Sequence, residues 1–471
     1  MTPFTPLSRR AFLTNTGVAL GSVALNSLLT RDLAAAEKYH GLPGFPHHPP
    51  KAKRVIFLYM SGGPSHLETF DHKPELTRLD GQPMPESFTK GQPIAQLQGQ
   101  KLKVQGHLTK FKQHGKSGQW VSDFLPWHAK FVDDIAIIRS MTTDQINHDP
   151  AHTMMNTGTA ISGRPSMGSW VTYGLGSESE ELPGFVVLTS FAGRNPQPIS
   201  QRMWGNGFLP GRFQGVEFNS SGDPVYYVRN PKGVSDEQQR DLVDAVGDLD
   251  RHRNAALKNP DVDTRITAYE MAFRMQASVP ELMDISKEPK DALELYGAKP
   301  GDGSFASNCL LARRLAERGV RFIQLYHRDW DHHGDLVNFM NICCGATDRP
   351  TWALLTDLKQ RGLLDETLVI WGGEFGRTPM YQGKGGPGRD HHIKGFSMWL
   401  AGGGVKGGLG YGATDELGYN AVEDVAHVRD LHATVLHLLG IDHTRFTVKY
   451  QGLDMRLTGV ELARVLGDIL V

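Results

Sequence analysis

Cysteine is scarce in this sequence. The chain of 471 residues contains only Cys309, Cys343 and Cys344, and it has no Cys-x-x-Cys pair. Two of the three are adjacent, and adjacent cysteines rarely bridge each other, so at most one disulfide could form. A disulfide scaffold is therefore excluded, and a zinc site built from paired thiolates is not expected.

An excess of one charge and long apolar runs are also lacking. Lysine and arginine total 50, aspartate and glutamate total 51, and the formal net charge is −1. Without a basic excess there is no electrostatic support for binding phosphate backbones, so we expect no nucleic-acid partner. After residue 36 no segment approaches the ~18 consecutive apolar residues of a spanning helix, so we expect no stable membrane span in the mature protein.

The N-terminus has the pattern of an export signal. Ser8-Arg9-Arg10-Ala11-Phe12-Leu13 is typical of a twin-arginine signal, and Ala34-Ala35-Ala36 offers small residues for cleavage. The alternative is an uncleaved anchor, but the apolar run between these motifs contains several polar residues and would span a membrane poorly. We predict a signal peptide over residues 1–36, export by the twin-arginine machinery, and a periplasmic or extracellular location.

Continuous apolar runs alternate with helical patterns along the rest of the chain. The predicted core strands are residues 55–60, 135–138, 185–188, 320–326, 367–371 and 396–401. Such runs are typical of strands buried on both faces, so we predict an α/β fold with a mainly parallel central sheet and helices on both faces. We expect a linker at 37–53 and a single domain at 54–471, with insertions at about 80–122 and 190–300. Ligands of such sheets lie at the carboxyl ends of the strands.

Metal-ligating residue types follow one of these strands closely. Two carboxylates and two imidazoles lie within residues 329–333, directly after the strand at 320–326. Asp331 and His333 alternate, so both could face one divalent cation from an extended loop. The alternative is a polar turn with incidental histidines.

Two further segments could contribute to the same centre. Glu374 follows the strand at 367–371 among glycines and is a candidate ligand or general base, or else a surface carboxylate paired with Arg377. His391 and His392 precede the strand at 396–401. At least one of them is a candidate metal ligand, with a solvated loop as the alternative.

Histidines and carboxylates also follow the first two predicted strands. His148 and His152 are four residues apart, so on a helix they share a face, and His148 lies near the predicted helix N-terminus. Their alternative is capping or packing. His66 and Asp71 follow the strand at 55–60 and are candidate ligands or structural residues. Neither a Gly-x-Ser-x-Gly elbow nor a phosphate-binding Gly-x-x-x-x-Gly-Lys-Ser/Thr loop occurs.

The order of these motifs resembles a known family. The segments that carry the resemblance are residues 62–71 (GGPSHLETFD), 330–334 (WDHHG), 373–379 (GEFGRTP) and 430–440 (DLHATVLHLLG). Together they resemble the uncharacterised sulfatase-like family known as domain-of-unknown-function family 1501, within the alkaline-phosphatase superfamily. The resemblance extends from about residue 45 to residue 466.

The resemblance implies one or two metal ions at the strand ends and a nucleophile that attacks a phosphate or sulfate ester. It places Asp331 and His333 on one metal, with His391 or His392 completing that site. Glu374 takes the place of the aspartate in the usual Asp-His-Gly that follows the strand. His148 falls at the nucleophile position and His152 at that of its partner arginine. Ser61 replaces an acidic ligand, and the Cys/Ser-x-Pro-x-Arg motif for formylglycine formation is missing.

We therefore predict an exported metal-dependent hydrolase of sulfate or phosphate esters, with a small-molecule or glycan ester as substrate. The cofactor would be one or two divalent ions, with zinc, calcium, magnesium, manganese and iron all open. The predicted catalytic residues are His148, His152, Glu374 and Arg377, and the predicted metal ligands are His66, Asp71, Asp331, His333, Glu374, His391 and His392. The alternative is a non-catalytic secreted binding protein, for example for sulfated glycans, that retains the fold. The oligomeric state is left open.

Overall fold

A computed structural model describes residues 39–471, apart from 194–195, 226–229, 231–232, 258–259 and 384. The predicted signal peptide at 1–36 lies outside the described residues, as does the start of the predicted linker. Within the described part of the chain, the search for a helix long and apolar enough to cross a membrane finds none.

The strands follow the order of the apolar runs. Along the chain they are β1 (Arg54–Ser61), β2 (Phe111–His114), β3 (Gln119–Ser122), β4 (Ile135–Thr142), β5 (Phe185–Ser190), β6 (Val216–Phe218), β7 (Phe322–Arg328), β8 (Thr367–Gly372), β9 (Gly376–Arg377), β10 (Gln382–Gly383), β11 (Pro387–Gly388), β12 (His391–His392), β13 (Phe396–Ala401), β14 (Leu409–Tyr411), β15 (Ala413–Thr414), β16 (Ala421–Glu423), β17 (Ala426–His427), β18 (Val448–Tyr450) and β19 (Leu453–Met455). All six predicted core strands are present.

Nine strands of the described residues form the central sheet, in the order β14-β4-β13-β8-β1-β7-β5-β6, with β17 also paired to β4. Strand β1 is parallel to both neighbours, β7 and β8, in the middle of the sheet. Strand β13 is antiparallel to β8 and to β4. The other eight strands thus run in one direction, which confirms the predicted mainly parallel sheet.

The middle of the sheet is covered on both faces. Every residue of β1, β8 and β13 is buried. Because successive side chains of a strand point to opposite faces, a strand buried on both must be apolar at consecutive positions, as Val55, Ile56 and Phe57 are. Burial of each large aliphatic or aromatic side chain stabilises the fold by roughly 1.5–3 kcal/mol.

Helices connect most of these strands. They are α1 (Pro74–Arg78), α2 (Glu86–Thr89), α3 (His128–Phe131), α4 (His148–Thr157), α5 (Met167–Leu175), α6 (Asp236–Leu257), α7 (Pro260–Met283), α8 (Lys290–Tyr296), α9 (Phe305–Glu317), α10 (Leu336–Gln360) and α11 (Val428–Leu438). Helix α9 begins where the Ser304 side chain accepts a hydrogen bond from the Ser307 backbone, and it packs against β5, β7 and α10. Helix α4 ends at Gly158, whose φ of 75° is the left-handed conformation that favours glycine.

Short pairs of strands lie in the segments that connect the strands of the central sheet. Residues 80–122, the expected insertion, contain α2 and the hairpin of β2 with β3. The two-residue strands β9 and β12 pair antiparallel, with His391 opposite Arg377. This pairing ties the segment before β13 to the segment after β8.

The contacts within the chain divide it into two compact units. One comprises residues 40–226 and 277–471 and contains the central sheet. Another includes residues 227–276, whose described helices are α6 and the first part of α7.

Candidate metal centre

The carboxyl ends of several strands bring polar side chains together. Strands β1, β7, β8 and β4 all run in the same direction, so their carboxyl ends lie at one edge of the sheet. Asp331 follows β7, Glu374 follows β8, and His148 begins α4 after β4. The parallel sheet thus places residues from distant parts of the chain at one site.

Glycine at position 62 allows β1 and the segment after β7 to approach closely. Gly62 has a φ of 123°, and a Cβ atom there would lie 2.5 Å from the Asp331 backbone nitrogen. The Gly62 backbone N–H also donates to Glu374 Oε1 at 3.0 Å. Both the space and the conformation therefore require glycine at this position.

We expect Gly62→Ala to disturb the site and the fold together. The added methyl would push Asp331 away, and the backbone would be strained, so the free energy of unfolding should fall by about 2 kcal/mol or more. Thermal unfolding and metal content per chain are the measurements. Gly81→Ala is the control, because Gly81 also has a positive φ, of 76°, but a Cβ atom there meets nothing within 4 Å. Equal effects of the two variants would contradict the role of close approach.

Three imidazole nitrogens converge on one carboxylate oxygen. The Nε2 atoms of His148, His333 and His391 lie 3.2, 2.9 and 3.2 Å from Asp331 Oδ1. The Nε2 atoms of His333 and His391 are 2.9 Å apart. One ligand atom from each of the four residues lies within 4.8 Å of every other, so the group could hold one metal ion.

The second nitrogen of each ring is fixed by an oxygen atom. His391 Nδ1 donates to the Ile146 carbonyl at 2.9 Å. His333 Nδ1 donates to Gln382 Oε1 at 2.6 Å, and His148 Nδ1 lies 2.7 Å from Glu374 Oε1. With the proton on Nδ1, the lone pair of each neutral ring is on Nε2. This is the arrangement that orients histidine ligands in metal sites.

The donor set fits a divalent cation. Lone pairs on three Nε2 atoms and a carboxylate oxygen face one another at contact distance, and they repel one another unless a cation or proton lies between them. Three imidazoles and a carboxylate suit zinc, iron or manganese, whereas calcium and magnesium prefer oxygen ligands throughout. The residues present therefore fit a resident transition-metal ion.

The electrostatics of the cluster favour a bound proton on His148 when no metal competes. Burial lowers the pKa of His148, but hydrogen bonds with Asp331 and Glu374 outweigh this and raise it to about 9. Burial raises the pKa of Asp331, but Arg377 and the surrounding histidines hold it far below its usual range. Burial lowers the pKa of His391 to about 4, so this ring is neutral at physiological pH.

Metal binding should consequently strengthen with pH. Below the His148 pKa of about 9, an ion must displace the proton from Nε2. The apparent association constant should rise about tenfold per pH unit between about pH 6 and pH 8, and level off above about pH 9. Competition with a chromophoric chelator at several pH values measures this slope, after correction for the chelator's own protonation. A flat profile would show that no ligand proton is displaced.

Glu374 connects the cluster to a second group of buried residues. Burial raises the pKa of Glu374, and the neighbouring His152 and His148 lower it to about 2. His152 Nδ1 lies 3.5 Å from Glu374 Oε2 and 2.7 Å from the Tyr59 hydroxyl, and His152 Nε2 lies 3.3 Å from Ser61 Oγ. His148, His152 and Glu374 form a second group that could hold a metal ion. His148 belongs to both groups, one through each ring nitrogen.

Arg377 holds Asp331 in place through hydrogen bonds. Its Nη2 donates to Asp331 Oδ1 at 2.7 Å and its Nε donates to the Gly63 carbonyl at 2.9 Å. Nη1 and Nη2 also donate to backbone carbonyls, and the side chain is 1% exposed. Arg377 therefore positions Asp331 and has no free edge for a substrate, and Glu374 is paired with His148 rather than with Arg377.

Three predicted ligands lie elsewhere. His392 points away from the cluster and its Nε2 contacts the Tyr419 carbonyl. His66 Nε2 bonds to the Gly418 carbonyl at 2.8 Å. Asp71 accepts from the Thr414 hydroxyl at 2.5 Å and lies 3.3 Å from Lys73 Nζ. The structure thus brings together His148, His152, Asp331, His333, Glu374, Arg377 and His391, but not these three residues.

Three glutamines of the site were not anticipated. Gln96 Nε2 lies 3.1 Å from His333 Nε2, and Gln382 Nε2 donates to Gln96 Oε1 at 3.1 Å. Gln197 Nε2 donates to Asp331 Oδ2 at 3.1 Å. Gln96 and Gln197 belong to the two polar insertions, where nothing in the local pattern distinguishes a glutamine at the site from one in solvent.

Several solved structures are similar to this chain at low sequence identity. The lipoteichoic acid synthase LtaP from Listeria monocytogenes is 10% identical over 87% of this chain and 75% of that chain, with a TM-score of 0.38. An alkaline phosphatase from the Antarctic bacterium TAB5 is 10% identical over 83% of this chain and 98% of that chain, with a TM-score of 0.32. The PsFucS1 sulfatase from Pseudoalteromonas sp. is 11% identical over 83% and 68%, with a TM-score of 0.33. Likeness at TM-scores this low carries no inference about chemistry.

The sequence itself gives the family. No curated protein matches this sequence. The model of a family described as "Protein of unknown function (DUF1501)" matches residues 52–470, which includes the whole central sheet and every residue of the candidate metal centre. The chain belongs to this family.

Proposed function

We propose that this protein is a metal-dependent hydrolase of sulfate or phosphate esters. The observation that carries the proposal is the convergence of three fixed imidazole nitrogens on Asp331 Oδ1 at the carboxyl edge of the sheet. Nitrogen and oxygen ligands in this number suit one zinc, manganese or iron ion. Such an ion, when bound, polarises an ester oxygen and lowers the pKa of a bound water toward ~7.

The chain's own residues hold and orient the centre. His148, His333, His391 and Asp331 would be the ligands. Glu374 keeps the His148 proton on Nδ1, and Arg377 fixes the Asp331 carboxylate. The side chains of His148, His333 and Asp331 are 17%, 13% and 11% exposed, so a small ester or a glycan end could reach them.

Water is the proposed nucleophile. The Ser61 hydroxyl lies 3.3 Å from His152 Nε2, but Ser61 has no exposed surface. Its contact with His152 therefore supports a structural role in which the pair fixes the end of β1. Ser61→Ala should keep at least about half of the wild-type turnover, whereas loss of a covalent nucleophile costs many orders of magnitude.

Export completes the proposal. The Ser8-Arg9-Arg10 motif and the alanines at 34–36 support a twin-arginine signal and a periplasmic or extracellular location. Export of the folded chain would deliver the centre with its metal already in place. Fractionation of cells that express the full chain, with Arg9→Lys/Arg10→Lys as the control, would test this location.

Metal content and ester turnover test the hydrolase directly. The full chain, purified without chelator, should contain about one transition-metal ion and should hydrolyse 4-nitrophenyl sulfate or 4-nitrophenyl phosphate. EDTA should abolish turnover, and the ion found should restore it. A loaded protein that cleaves neither ester, nor sulfated or phosphorylated glycans, would favour the non-catalytic binding protein. A folded protein that cannot be loaded would contradict both the centre and the hydrolase.

A further inference from the structure

A second concave site lies away from the histidine cluster. A cavity of about 250 Å³ is lined in part by Thr157 and Gly158, at the carboxyl end of α4. His148 is the first residue of the same helix of 10 residues, and such a helix is ~15 Å long. The cavity and the metal centre are therefore at opposite ends of α4.

The wall of the cavity is rich in arginine. Arg164, Arg429 and Arg456 line it, with Glu461 as the acidic residue among the lining side chains. Arg429 Nη2 is bound to Asp144 Oδ2 at 2.8 Å. Within the described residues, Arg164 and Arg456 pair with no carboxylate, although Arg456 Nε donates to the Gly459 carbonyl at 2.6 Å. Two guanidinium groups thus have charge available for an anion.

One hydrogen-bond donor of the Arg164 guanidinium lacks an acceptor among the described residues. Its Nη1 is buried and has no hydrogen-bond partner among the described residues. Its guanidinium lies 5.9 Å from the centroid of the Phe208 ring, which holds the group in place by a cation–π contact. A buried donor on a charged group costs free energy unless an acceptor reaches it, and an anionic oxygen in the cavity would be that acceptor.

The remaining wall of the cavity is apolar and aromatic, so it suits an apolar part of a ligand. Trp170 meets Phe208 edge to face at 5.9 Å between centroids, and Phe208 stacks on Tyr450 at 4.7 Å. Trp170, Phe208, Met455 and Leu457 present apolar surface to the cavity. Apolar walls with a few fixed polar groups are typical of small-molecule sites, and about 250 Å³ lies just below their usual range of ~300–1,000 Å³, which suits a small ligand.

We propose that this cavity binds a small organic anion with an aromatic or apolar body. The anionic group, a carboxylate or a phosphate or sulfate monoester, would lie against Arg164 and Arg456. The body would lie against Trp170 and Phe208. The site is independent of the metal centre and does not rest on the proposed hydrolase activity.

Calorimetric titration of the full chain tests this site with benzoate and with phenyl phosphate as probes. Each probe is titrated into the protein as purified and again with EDTA present. At least one probe should bind saturably in both conditions, and Arg164→Met should weaken that binding about tenfold or more, because a charge-assisted hydrogen bond is lost. Arg164→Lys should restore part of the affinity. Arg456→Met is the second cavity variant, and the control is Arg78→Met, since the Arg78 side chain is 67% exposed and pairs with Glu75.

The outcomes separate this site from the metal centre. Binding that survives EDTA, weakens in both cavity variants and is unchanged in Arg78→Met supports the proposal. Binding that disappears with EDTA would place the probe on the metal and overturn it. Absence of saturable binding to the wild type, or equal affinity in a folded Arg164→Met protein, would also overturn it. Thermal unfolding of each variant establishes that it is folded.

Discussion

His391→Gln should lose bound metal, whereas His392→Gln, one residue further along the same strand, should keep it. His391 Nε2 lies 2.9 Å from His333 Nε2 and 3.2 Å from Asp331 Oδ1, inside the candidate centre. Glutamine has a similar length but no imidazole nitrogen, so the affinity for the ion should fall at least about 100-fold. Metal per chain after dialysis should drop from about one to near zero.

His392 is a matched control because it is buried to the same degree but bonded elsewhere. Its Nε2 contacts the Tyr419 carbonyl, and its ring stacks on Tyr419 at 4.1 Å between centroids. The glutamine amide can still donate to that carbonyl. His392→Gln should therefore lower the melting temperature but leave metal content and ester turnover close to those of the wild type.

Elemental analysis of both variants, with circular dichroism to establish folding, makes the comparison. Loss of metal in His392→Gln with retention in His391→Gln would reverse the ligand assignment. Retention in both would mean that His148, His333 and Asp331 hold the ion without help from β12. In either case the four-residue centre described above would be wrong.

Arg389→Met should be among the most destabilising single substitutions in the chain. Arg389 and Glu68 form an ion pair at 2.7 Å in which both side chains are 0% exposed. Arg389 also donates to the carbonyls of Gln105, Gly106 and Thr378. Removal of one partner from such a pair leaves an unpaired buried charge and costs about 3–5 kcal/mol. Arg389 thus stabilises the fold and has no free donor for a substrate.

A double-mutant cycle separates the ion pair from the loss of packing. Burial raises the pKa of Glu68, but Arg389 outweighs this and keeps the carboxyl below its usual pKa, so Glu68 is charged at neutral pH. Glu68→Gln removes that charge, and the double variant Glu68→Gln/Arg389→Met should be less destabilised than the sum of the two single variants by about 1–3 kcal/mol. Denaturant unfolding of all four proteins measures the coupling. Simple additivity would mean that the pair contributes no interaction of its own.

The exposed pair on α1 is the control for this cycle. Arg78 Nη2 contacts Glu75 on the same helix, with side chains 67% and 34% exposed. Solvent screens such pairs, so Arg78→Met should produce no measurable change in stability. A large effect there would indicate that arginine substitutions destabilise this protein for reasons unrelated to burial.

Much of the fold could be predicted from the sequence, because a short run of apolar residues is enough to show that a strand is buried on both faces. A run such as Val55-Ile56-Phe57 can be satisfied only where both faces of a strand are covered, and such runs predicted a mainly parallel sheet with helices on both faces. The family resemblance carried by the motifs after β1, β7 and β8 is confirmed by the family match over residues 52–470. The reversed direction of β13 was not predictable, because its apolar pattern is the same in either orientation.

The candidate site was only partly predictable. Asp331, His333 and Glu374 could be named because each follows a core strand, and the carboxyl ends of parallel strands share an edge. His66 and Asp71 follow β1 in the same way, yet they turn toward Gly418 and Thr414. Position after a strand brings a residue near the edge, but the loop conformation decides where its side chain points.

The sequence by itself determined the family, the α/β sheet and the set of histidines and carboxylates at its carboxyl edge. Tertiary structure decided which of them meet. Neighbouring residues of a strand face opposite sides, so at most one of His391 and His392 could enter the centre. The pairing of β12 with β9 turned His391 toward Asp331 and His392 toward Tyr419. That pairing joins segments whose mutual position depends on the whole sheet, and no local pattern encodes it.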